Sequence, residues 1–565
     1  MSEHGSRGPR SRALPLSLPA VLILSVAWPL TAFAQDIPAG YQRYHVIGQE
    51  QHVWDMFQHV RAQQVGGSFA DHVRSTVSVT ASSHNQVVIY DHWEDGFEAD
   101  PDHPVQATTL VFGDLDPSNG DVRDFTTLAV IDGDFLTPGT HLTLSSDRAS
   151  GDPLHRRVPV NPRSASHVRF DGGDLILSRG GPISVVHAQA PGVPWIGGST
   201  EIIARQALEQ ATSYSIPVGV DTYTRLGGRF GHGAPFRYVF VNLVAHDDDT
   251  HVFVDNHDGD TASFTLQRGQ HWTSRGLIDG QSGPSVEIRE GTKISTDKPV
   301  AGLIFTGSNG RYQTRLYALL PDALHSTDFI TAAPGDDPRA NGNRPLNLYV
   351  YNPHARPLSV RATDALGTTI LRVPPNGVRA YTEPTSSGGA GRTVPNDSTV
   401  RLTAAHRFWG VSAYEYDFHN VDWGHSWLAT EFLTPFYTVP WSPGTQELAD
   451  CCCDDPPCNS SNRSPVFVSA VRDNTRVQID LDADGVYDRV DTDSDDVPDA
   501  APLPNNTYLI DALETLRVYD HTDWDNSGTR IVASKPVAVA YGQDSDQGED
   551  GDDTLDLGHL VYPLQ

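Results

Sequence analysis

The residues best suited to chemistry form an aspartate-rich run near the C-terminus, DLDADGVYDRVDTDSDDVPD, from Asp480 to Asp499. Nine of these twenty residues are aspartates. In a calcium loop, oxygen ligands recur at every second position, a glycine makes the sharp turn, and one backbone carbonyl completes the set. Crowded carboxylates also repel one another, so a divalent cation would relieve an energetic cost. The run therefore predicts a loop that binds Ca²⁺ in a structural role.

The spacing assigns individual ligands. Gly485 takes the turn position and Val486 supplies the backbone carbonyl of a first site, whose carboxylate ligands are Asp480, Asp482, Asp484, Asp488 and Asp491. A second, less complete site is expected from Asp491, Asp493, Asp495 and Asp499. Asp491 stands where a bidentate glutamate is usual, and RVQID before the loop has a strand pattern rather than a helical one. An EF-hand-like or thrombospondin-type loop between strands fits better than a true EF-hand, and the alternative is a solvated acidic loop.

A second acidic stretch, VVIYDHWEDGFEAD at residues 87–100, begins as a strand-like apolar run and ends in a cluster of ionisable residues. Asp91, His92, Glu94 and Asp95 could supply a general acid and base, but such a pair must face each other across a cleft. Trp93 occupies the place of the middle calcium ligand, and Asx-turn chemistry alone explains aspartate and glycine in such turns. The sequence favours a structural acidic turn, leaves weak cation binding open, and favours catalysis least.

Catalytic motifs are missing elsewhere in the sequence. The 24 histidines are scattered without zinc-site spacing, and His425-Ser426 lacks the G-x-S-x-G elbow. We therefore predict a protein that is not an enzyme. A secreted hydrolase acting on glycan or peptide is kept as an alternative.

Aromatic residues in YEYDFHNVDWGHSW offer a different kind of site. Tyr416, Trp423 and Trp427 have ring faces next to aspartate, asparagine and histidine, which suits a sugar or a protein partner. The alternative is that these rings cover the core beneath a long loop. A carbohydrate-binding module is thus a second candidate function.

All four cysteines lie in the segment CCCDDPPC, at Cys451, Cys452, Cys453 and Cys458. In an exported chain they are candidates for local disulfides, whose pairing the sequence leaves open. Adjacent cysteines present tetrahedral metal geometry poorly, so a thiolate metal site is disfavoured.

The first 34 residues have the pattern of an export signal. Arginines at positions 7, 10 and 12 precede a short apolar run that ends in AFA, a signal-peptidase pattern. A formal net charge of −31 argues against nucleic acid or anionic membrane as a partner. We expect a secreted or cell-surface protein that does not span a membrane and whose partner is an extracellular protein or glycan.

Four related segments recur along the chain. Each contains two short apolar strands and a polar turn, and each is read as a hairpin: GDLILSRGGPISVVHA, GTKISTDKPVAGLIF, STVRLTAAHRFWGVSAY and GTRIVASKPVAVAYG. Proline opens the second strand at Pro182, Pro299 and Pro536, whereas the third segment has HRFW there. An earlier pair of strands precedes each segment, and an apolar run closing in proline follows it: YSIP, YALLP, YTVP and LVYP.

This order of features predicts an all-β chain of tandem β-sandwich-like repeats of about 100 residues. A closed propeller-like arrangement of the repeats is the alternative. VWDMFQHVRAQQ and EIIARQALEQA are the only helix candidates. The expected domains are a signal peptide (1–34), an N-terminal segment (35–74), repeat 1 (75–226), repeat 2 (236–334), repeat 3 (345–441), a cysteine-rich linker (442–464) and repeat 4 with the acidic loop (465–565).

Two of these segments, ISTDKPVAGLIF followed by LYALLPDAL and IVASKPVAVAYG followed by LVYPLQ, resemble the N-terminal region of IgGFc-binding proteins and its bacterial secreted relatives. That region repeats an I-x-S-x-x-P-V-x-V element followed by a strand closing in LP. The block VVIYDHWEDGFEAD with LVFGDLDPSNGD resembles the opening of large bacterial surface proteins. The resemblance covers most of residues 75–565. It implies an extracellular adhesion or interaction module without a catalytic centre, and it assigns immunoglobulin binding to no residue here.

Overall fold

Alternating apolar residues pair into antiparallel sheets along the whole described part of this computed structural model, which confirms the all-β prediction. The structure describes residues 40–65, 73–120, 122–123, 130–131, 133–145, 168–191, 197–228, 233–308, 314–332, 346–382, 392–395, 397–416, 421–442, 465–493, 495, 497–522, 525–542 and 557–563. All of these residues belong to one compact unit. The predicted export signal and the four cysteines lie outside the described residues.

The first module, at residues 42–201, is a sandwich of two four-stranded sheets, β1-β8-β3-β4 and β10-β9-β2-β7. Its elements are β1 (Gln42–His45), α1 (Glu50–Val65), β2 (Val73–Ala81), β3 (Val87–Asp91), β4 (Leu110–Phe112), β5 (Val122–Arg123), β6 (Val130–Ile131), β7 (His141–Ser145), β8 (Leu175–Arg179), β9 (Ile183–Pro191) and β10 (Gly198–Glu201). The two short strands β5 and β6 pair with each other outside these sheets.

The second module, at residues 213–318, repeats the plan with the sheets β11-β18-β13-β14 and β17-β16-β15-β12-β19-β20. Its elements are β11 (Ser213–Ser215), α2 (Val220–Arg225), β12 (Tyr238–Ala245), β13 (Thr250–Asp255), β14 (Thr261–Leu266), β15 (His271–Thr273), β16 (Leu277–Ile278), β17 (Gln281–Ser282), β18 (Lys293–Thr296), β19 (Val300–Gly307) and β20 (Thr314–Ala318).

The third module, at residues 326–426, has seven described strands, and the fourth, at residues 436–561, has eight. The third comprises β21 (Ser326–Ile330), β22 (Leu346–Asn352), β23 (Leu358–Asp364), β24 (Gly367–Val373), β25 (Gly377–Ala380), β26 (Arg401–Tyr416) and β27 (Val421–Ser426). The fourth comprises β28 (Phe436–Thr438), β29 (Val466–Ala470), β30 (Thr475–Asp480), β31 (Thr507–Ile510), β32 (Thr515–Val518), β33 (Arg530–Ala533), β34 (Val537–Gly542) and β35 (Gly558–Val561).

One pairing scheme is common to all four modules. One sheet of each module, called here the outer sheet, has the opening strand of the module at its edge (β1, β11, β21 or β28). The other sheet has the last strand of the module at its edge (β10, β20, β27 or β35). In the fourth module, for example, the sheets are β28-β33-β30-β31 and β32-β29-β34-β35. The repeated sandwich is therefore present. YSIP and YTVP begin in the opening strands β11 and β28, whereas YALLP and LVYP begin in the last strands β20 and β35, so these four runs are not equivalent.

The predicted hairpins are wrong, because the two strands of each recurring segment belong to different sheets. β8 pairs with β1 and β3, whereas β9 pairs with β2 and β10. In the third module the same path is one unbroken strand, β26, whose residues 401–404 pair with β23 and whose residues 409–414 pair with β22. The three prolines lie where the other copies break between sheets, because proline cannot donate to a ladder.

The two helix predictions have different outcomes. VWDMFQHVRAQQ lies within α1, whose Val53, Met56 and Phe57 are fully buried against the core, so this prediction is confirmed. EIIARQALEQA is not an α-helix. It contains the end of β10 and one 3₁₀ turn, Arg205–Leu208, that joins the first module to the second. Among the described residues, no helix combines the length and hydropathy needed to cross a membrane.

The last strands of the four modules pack together in cyclic order. β10 contacts β20, β20 contacts β27, β27 contacts β35, and β35 contacts β10 again. Hydrogen bonds across the last contact join Ser199 Oγ to His559 Nδ1 at 2.9 Å and to the amide of Gly558 at 3.1 Å. The sandwiches thus form a ring in which the first module meets the fourth.

The continuous strand of the third module gives a test of this crossover. Arg407 lies three residues after Ala404 and one before Phe408, which is the position that Pro182, Pro299 and Pro536 occupy in the other copies. We expect Arg407→Pro to change the free energy of unfolding by less than about 1 kcal/mol, because this position needs no ladder donor.

The matched variant Val411→Pro lies in the same strand, where Val411 pairs with both Tyr349 and Ser426. It should cost about 3 kcal/mol or more, or prevent folding. Urea unfolding of both variants measures the difference. Equal losses would contradict the crossover assignment.

Candidate metal centres

Three groups of potential ligands, within the part of the chain that the structure describes, bring ligand atoms to within 4.8 Å of one another. Two of them lie in the predicted acidic loop, between β30 and β31 of the fourth module. They are Asp480, Asp482 and Asp488, and Asp491, Asp493 and Asp499. The third group is His92, Glu94 and Asp174 in the first module. Protein oxygens bind Ca²⁺ at 2.3–2.6 Å, so ligands of one ion lie no more than about 5 Å apart.

The first loop begins at the end of β30. Asp480 is buried, and its Oδ2 accepts a hydrogen bond from the amide of Gly485 at 3.1 Å. Oδ1 of Asp480 has no hydrogen-bond partner among the described residues. Asp488 closes the loop, since its Oδ2 accepts from the amide of Leu481 at 2.8 Å. Burial raises the pKa of Asp480, so the charged carboxylate is costly there unless a cation offsets it.

The second loop repeats the first eleven positions later. The amide of Thr492 donates to Oδ2 of Asp499 at 2.9 Å, as that of Leu481 does to Asp488. The amides of Asp488 and Asp499 donate to the carbonyls of Ile479 and Val490, at 2.7 and 2.9 Å. Each loop therefore has its own first and last aspartate.

The carboxylates are grouped differently in the structure from the two ligand sets predicted from the sequence. Asp491 groups with the second loop rather than closing the first, because Asp488 already does so. Asp484 and Asp495 accept hydrogen bonds from the amides of Val486 and Val497, at 2.7 and 2.9 Å, and neither is in the two groups. The side chains of Val486 and Val497 are 62% and 60% exposed. The predicted strand before the loop is confirmed as β30.

The turn VVIYDHWEDGFEAD lies at the end of β3 and is not a solvated loop. His92 and Glu94 are 4% and 1% exposed, and they meet Asp171 and Asp174, which are fully buried and precede β8. Because β3 and β8 pair up to Asp91 and Leu175, both turns lie at the same end of the sheet. The sequence analysis did not identify Asp171 and Asp174 as site residues. The signal that could have found them is the motif DGGD, which stands immediately before a strand-like apolar run.

The predicted aromatic platform is wrong, because both of its described rings lie in the core. Trp423 and Trp427 are each 1% exposed. Trp423 stacks on Tyr414 and on Phe467 of the fourth module, while Nε1 of Trp427 donates to Ser412 Oγ at 2.8 Å. The side chain of Tyr416 lies outside the described residues. The rings fill space between modules, where large aromatic area stabilises most.

Buried histidines are another feature that the sequence did not reveal. At the centre of the ring, burial lowers the pKa of His559 to about 3 and that of His425 to about 4. Between the first two modules, burial lowers the pKa of His246 and of His271 to about 3. Nδ1 of His45 and Nδ1 of His246 lie 2.9 Å apart, so one imidazole donates to the other. These rings are neutral parts of the core.

Comparisons with known proteins add little. No protein-family model matches the sequence, and no curated protein matches it. One solved structure, described as "Structural insight into host cell surface retention of a 1.5-MDa bacterial ice-binding adhesin", is similar at 11% identity, over 68% of this chain and 90% of that chain. Its TM-score of 0.10 is too low to support an argument about fold or function.

The buried histidines predict acid sensitivity. Each has a folded pKa below the ordinary value of about 6.5, so the unfolded chain binds protons that the folded chain does not. Their contribution is complete above pH 6.5 and is lost as the pH falls towards 4. Each such histidine should reduce the free energy of unfolding by about 1.4 kcal/mol per pH unit in this range.

Denaturant unfolding at several pH values between 7.5 and 4.5 measures the slope. His559→Gln should lower this slope by about 1.4 kcal/mol per pH unit, the contribution of one proton. His103→Gln, at a side chain that is 83% exposed, should leave the slope unchanged. The same slope in both variants would argue against a neutral His559.

Proposed function

We propose that the protein is a secreted, calcium-stabilised β-repeat scaffold that acts by adhesion to, or interaction with, an extracellular protein or glycan. The observation that carries the proposal is the pair of aspartate loops with equivalent hydrogen bonds in the fourth module. The resemblance of the repeats to IgGFc-binding N-terminal regions supports the interaction role.

Calcium suits these loops better than other common ions do. All of the grouped side chains in the two loops are carboxylates, which are hard oxygen donors. Each loop has one buried, one exposed and one half-buried aspartate in its group. Mg²⁺ demands a stricter octahedron and keeps several waters, whereas Ca²⁺ tolerates flexible loops with six to eight oxygens. Two ions would offset the repulsion among the nine aspartates of the segment.

The first loop also touches the neighbouring module at the closure of the ring. A Cβ added at Gly139, which precedes β7 of the first module, would lie 2.4 Å from Cβ of Ala483. The same glycine faces Gly528 of the fourth module, whose carbonyl oxygen would lie 3.0 Å from that Cβ. An ion that orders the loop would therefore stabilise the junction between the first and fourth modules.

The outer sheet of the fourth module supports an interaction role, because it presents apolar side chains to solvent. Phe436 in β28 and Leu509 in β31 are 61% and 43% exposed. Phe436 pairs with Val532, which in turn pairs with Gln478 on β30. Arg476 lies two residues before Gln478 on the same strand and pairs with Leu509. Paired residues share a face, so Phe436 and Leu509 lie on one surface. Large apolar side chains that remain exposed together mark interaction surfaces.

Neither alternative function gains a supporting site. The carbohydrate platform required exposed Trp423 and Trp427, which are buried. The carboxylates near Glu94 converge from two turns, as a hydrolase would need, but Glu94, Asp171 and Asp174 are at most 1% exposed. A glycan or peptide could not reach them without opening the module.

Calcium should raise the thermal stability of the mature chain. A ligand that binds only the folded state adds RT ln(1 + [L]/Kd), about 2.7 kcal/mol at a hundredfold excess over Kd for each site. The melting temperature should therefore rise in excess Ca²⁺ relative to chelator. Asp482→Ala with Asp493→Ala, one ligand from each loop, should remove most of this rise.

The matched control is Asp255→Ala with Asp258→Ala in the acidic turn after β13, which is not among the grouped ligand sets. It should leave the calcium-dependent rise intact. An unchanged melting temperature between Ca²⁺ and chelator in the parent protein would contradict the calcium proposal.

The interaction role is tested by binding of the calcium-loaded mature chain to arrays of extracellular proteins and glycans. We expect saturable binding that Phe436→Asp with Leu509→Asp weakens at least tenfold, while Leu366→Asp, exposed on the third module, does not. Turnover of a glycan or peptide panel by the pure protein, or no binding at all, would refute the scaffold.

A further inference from the structure

The buried acidic group of the first module is held in place by donors from two turns. Oδ2 of Asp174 accepts from the Tyr90 hydroxyl at 2.6 Å and from the amide of Asp171 at 3.1 Å. Its Oδ1 accepts from the amide of Trp93 at 3.1 Å, and Oδ1 of Asp171 accepts from Nε1 of Trp93 at 3.1 Å. Oε1 of Glu94 accepts from the amide of Arg169 at 3.0 Å. The carboxylates therefore have fixed orientations.

The DGGD turn is built for this close approach. Gly173 has a φ of +115°, and a Cβ there would lie 2.7 Å from Cδ1 of Trp93. A Cβ on Gly172 would lie 2.3 Å from the backbone nitrogen of Gln49. Only glycine fits both positions, and the fit brings Asp171 and Asp174 against the indole of Trp93 and the start of α1.

Two carboxylate oxygens of this group have no hydrogen-bond partner among the described residues. They are Oε2 of Glu94 and Oδ2 of Asp171, on side chains that are 1% and 0% exposed. A buried oxygen without a donor costs free energy, and a buried charge without a counter-charge costs more. Such oxygens require either a proton or a cation.

The charges nearby are unequal. Nδ1 of His92 lies 2.7 Å from the carbonyl oxygen of Arg169, so this nitrogen carries its hydrogen, and it lies 3.4 Å from Oδ2 of Asp174. Burial alone would lower the pKa of His92, but Asp174 raises it. Arg169 interacts with Asp171, and Glu50 adds its own carboxylate to the group. Glu50, Glu94, Asp171 and Asp174 thus outnumber Arg169 and His92, the latter charged only when protonated.

We infer that Glu94 and Asp174, with the carboxylate of Asp171 beside them, bind a hard divalent cation of the Ca²⁺ class inside the first module. One ligand atom each from His92, Glu94 and Asp174 lie within 4.8 Å of one another, a span that fits ligands around one such ion. Asp171 is not in that group, and its amide donates to Oδ2 of Asp174 at 3.1 Å. His92, with Nδ1 engaged by the Arg169 carbonyl, positions Asp174 rather than binding the ion through that nitrogen. The ion would satisfy Oε2 of Glu94, which has no hydrogen-bond partner among the described residues.

Burial sets this site apart from the aspartate loops. Each loop group has an exposed member, whereas all three members of this group are buried. Oε2 of Glu94 has no donor among the described residues to compensate its charge, and the side chain is 1% exposed. An ion held here would be bound more tightly and exchange more slowly than ions in the loops.

Ion counting by native mass spectrometry of the full mature chain in Ca²⁺ tests the inference. The loops are first disabled by Asp482→Ala with Asp493→Ala, so the result does not depend on the loop proposal. We expect this folded parent to retain one tightly bound Ca²⁺ per chain. Adding Glu94→Gln should remove that ion, because the amide keeps the shape and loses the charge.

Glu209→Gln, at an exposed position, is the matched control and should keep the ion. Asp171→Asn is the second variant if Glu94→Gln fails to fold, as judged by near-ultraviolet circular dichroism. A folded parent that binds no ion would overturn the inference, and so would an ion that persists in whichever of the two variants folds. No ion in the parent would mean that the acidic group is protonated instead.

Discussion

The contact on which this architecture depends is the packing of the four closing strands at the centre of the ring. Small residues make it possible. A Cβ on Gly198 would lie 2.5 Å from Leu316, one on Gly424 would lie 2.6 Å from Tyr317, and one on Gly558 would lie 2.4 Å from Trp423. Each of these glycines lies in the closing strand of one module and meets a large side chain of an adjacent module. The position of every sheet relative to its neighbours follows from these contacts, because each closing strand is the edge of its own sandwich.

Several buried polar side chains at this centre donate to backbone carbonyls. Arg315 is 1% exposed, and its Nε and Nη2 donate to the carbonyl of Tyr414 at 3.2 and 2.8 Å. Ser426 Oγ donates to the carbonyl of Ala318 at 2.6 Å, which links the closing strands of the second and third modules. A buried network of this kind stabilises only when its members are all paired, so it also specifies how the modules meet. The neutral histidines belong to the same network, which joins the stability of the ring to pH.

Much of the fold could be predicted from local pattern, and what could not be predicted is non-local. Alternating valine, isoleucine and aromatic residues gave the strands, and the recurring order of apolar strand, polar turn and apolar strand gave the four copies. The same element reads as a hairpin, because sequence shows a strand, a turn and a strand but not which sheet each strand joins. Only the pairing of β8 with β3 and of β9 with β2 reveals the crossover. The missing proline of the third copy was visible, and its meaning became clear only with the continuous β26.

The candidate sites divide along the same line. The aspartate loops are local in sequence, so the spacing of their residues identified them. Asp488 and Asp499 close the two loops with equivalent hydrogen bonds, and their eleven-residue separation was also present in the sequence. The acidic group of the first module joins Glu94 to Asp171 across a long stretch of chain, through strand pairing that sequence alone does not report. Trp423 and Trp427 were ambiguous for a related reason, since an aromatic cluster suits a binding face and an inter-module core equally well.

The two kinds of proposed cation site lie near contacts between the first module and its neighbours. Ala483 of the first aspartate loop meets Gly139, where the first module contacts the fourth. The buried acidic group includes Glu50, the first residue of α1, and α1 packs Phe57 against Phe305 of the second module at 5.4 Å between ring centroids. In a chain with a net charge of −31, carboxylates near module junctions oppose association. A divalent cation at each junction would turn that repulsion into a link between segments distant in sequence, which is why cation binding and ring closure are expected to be coupled.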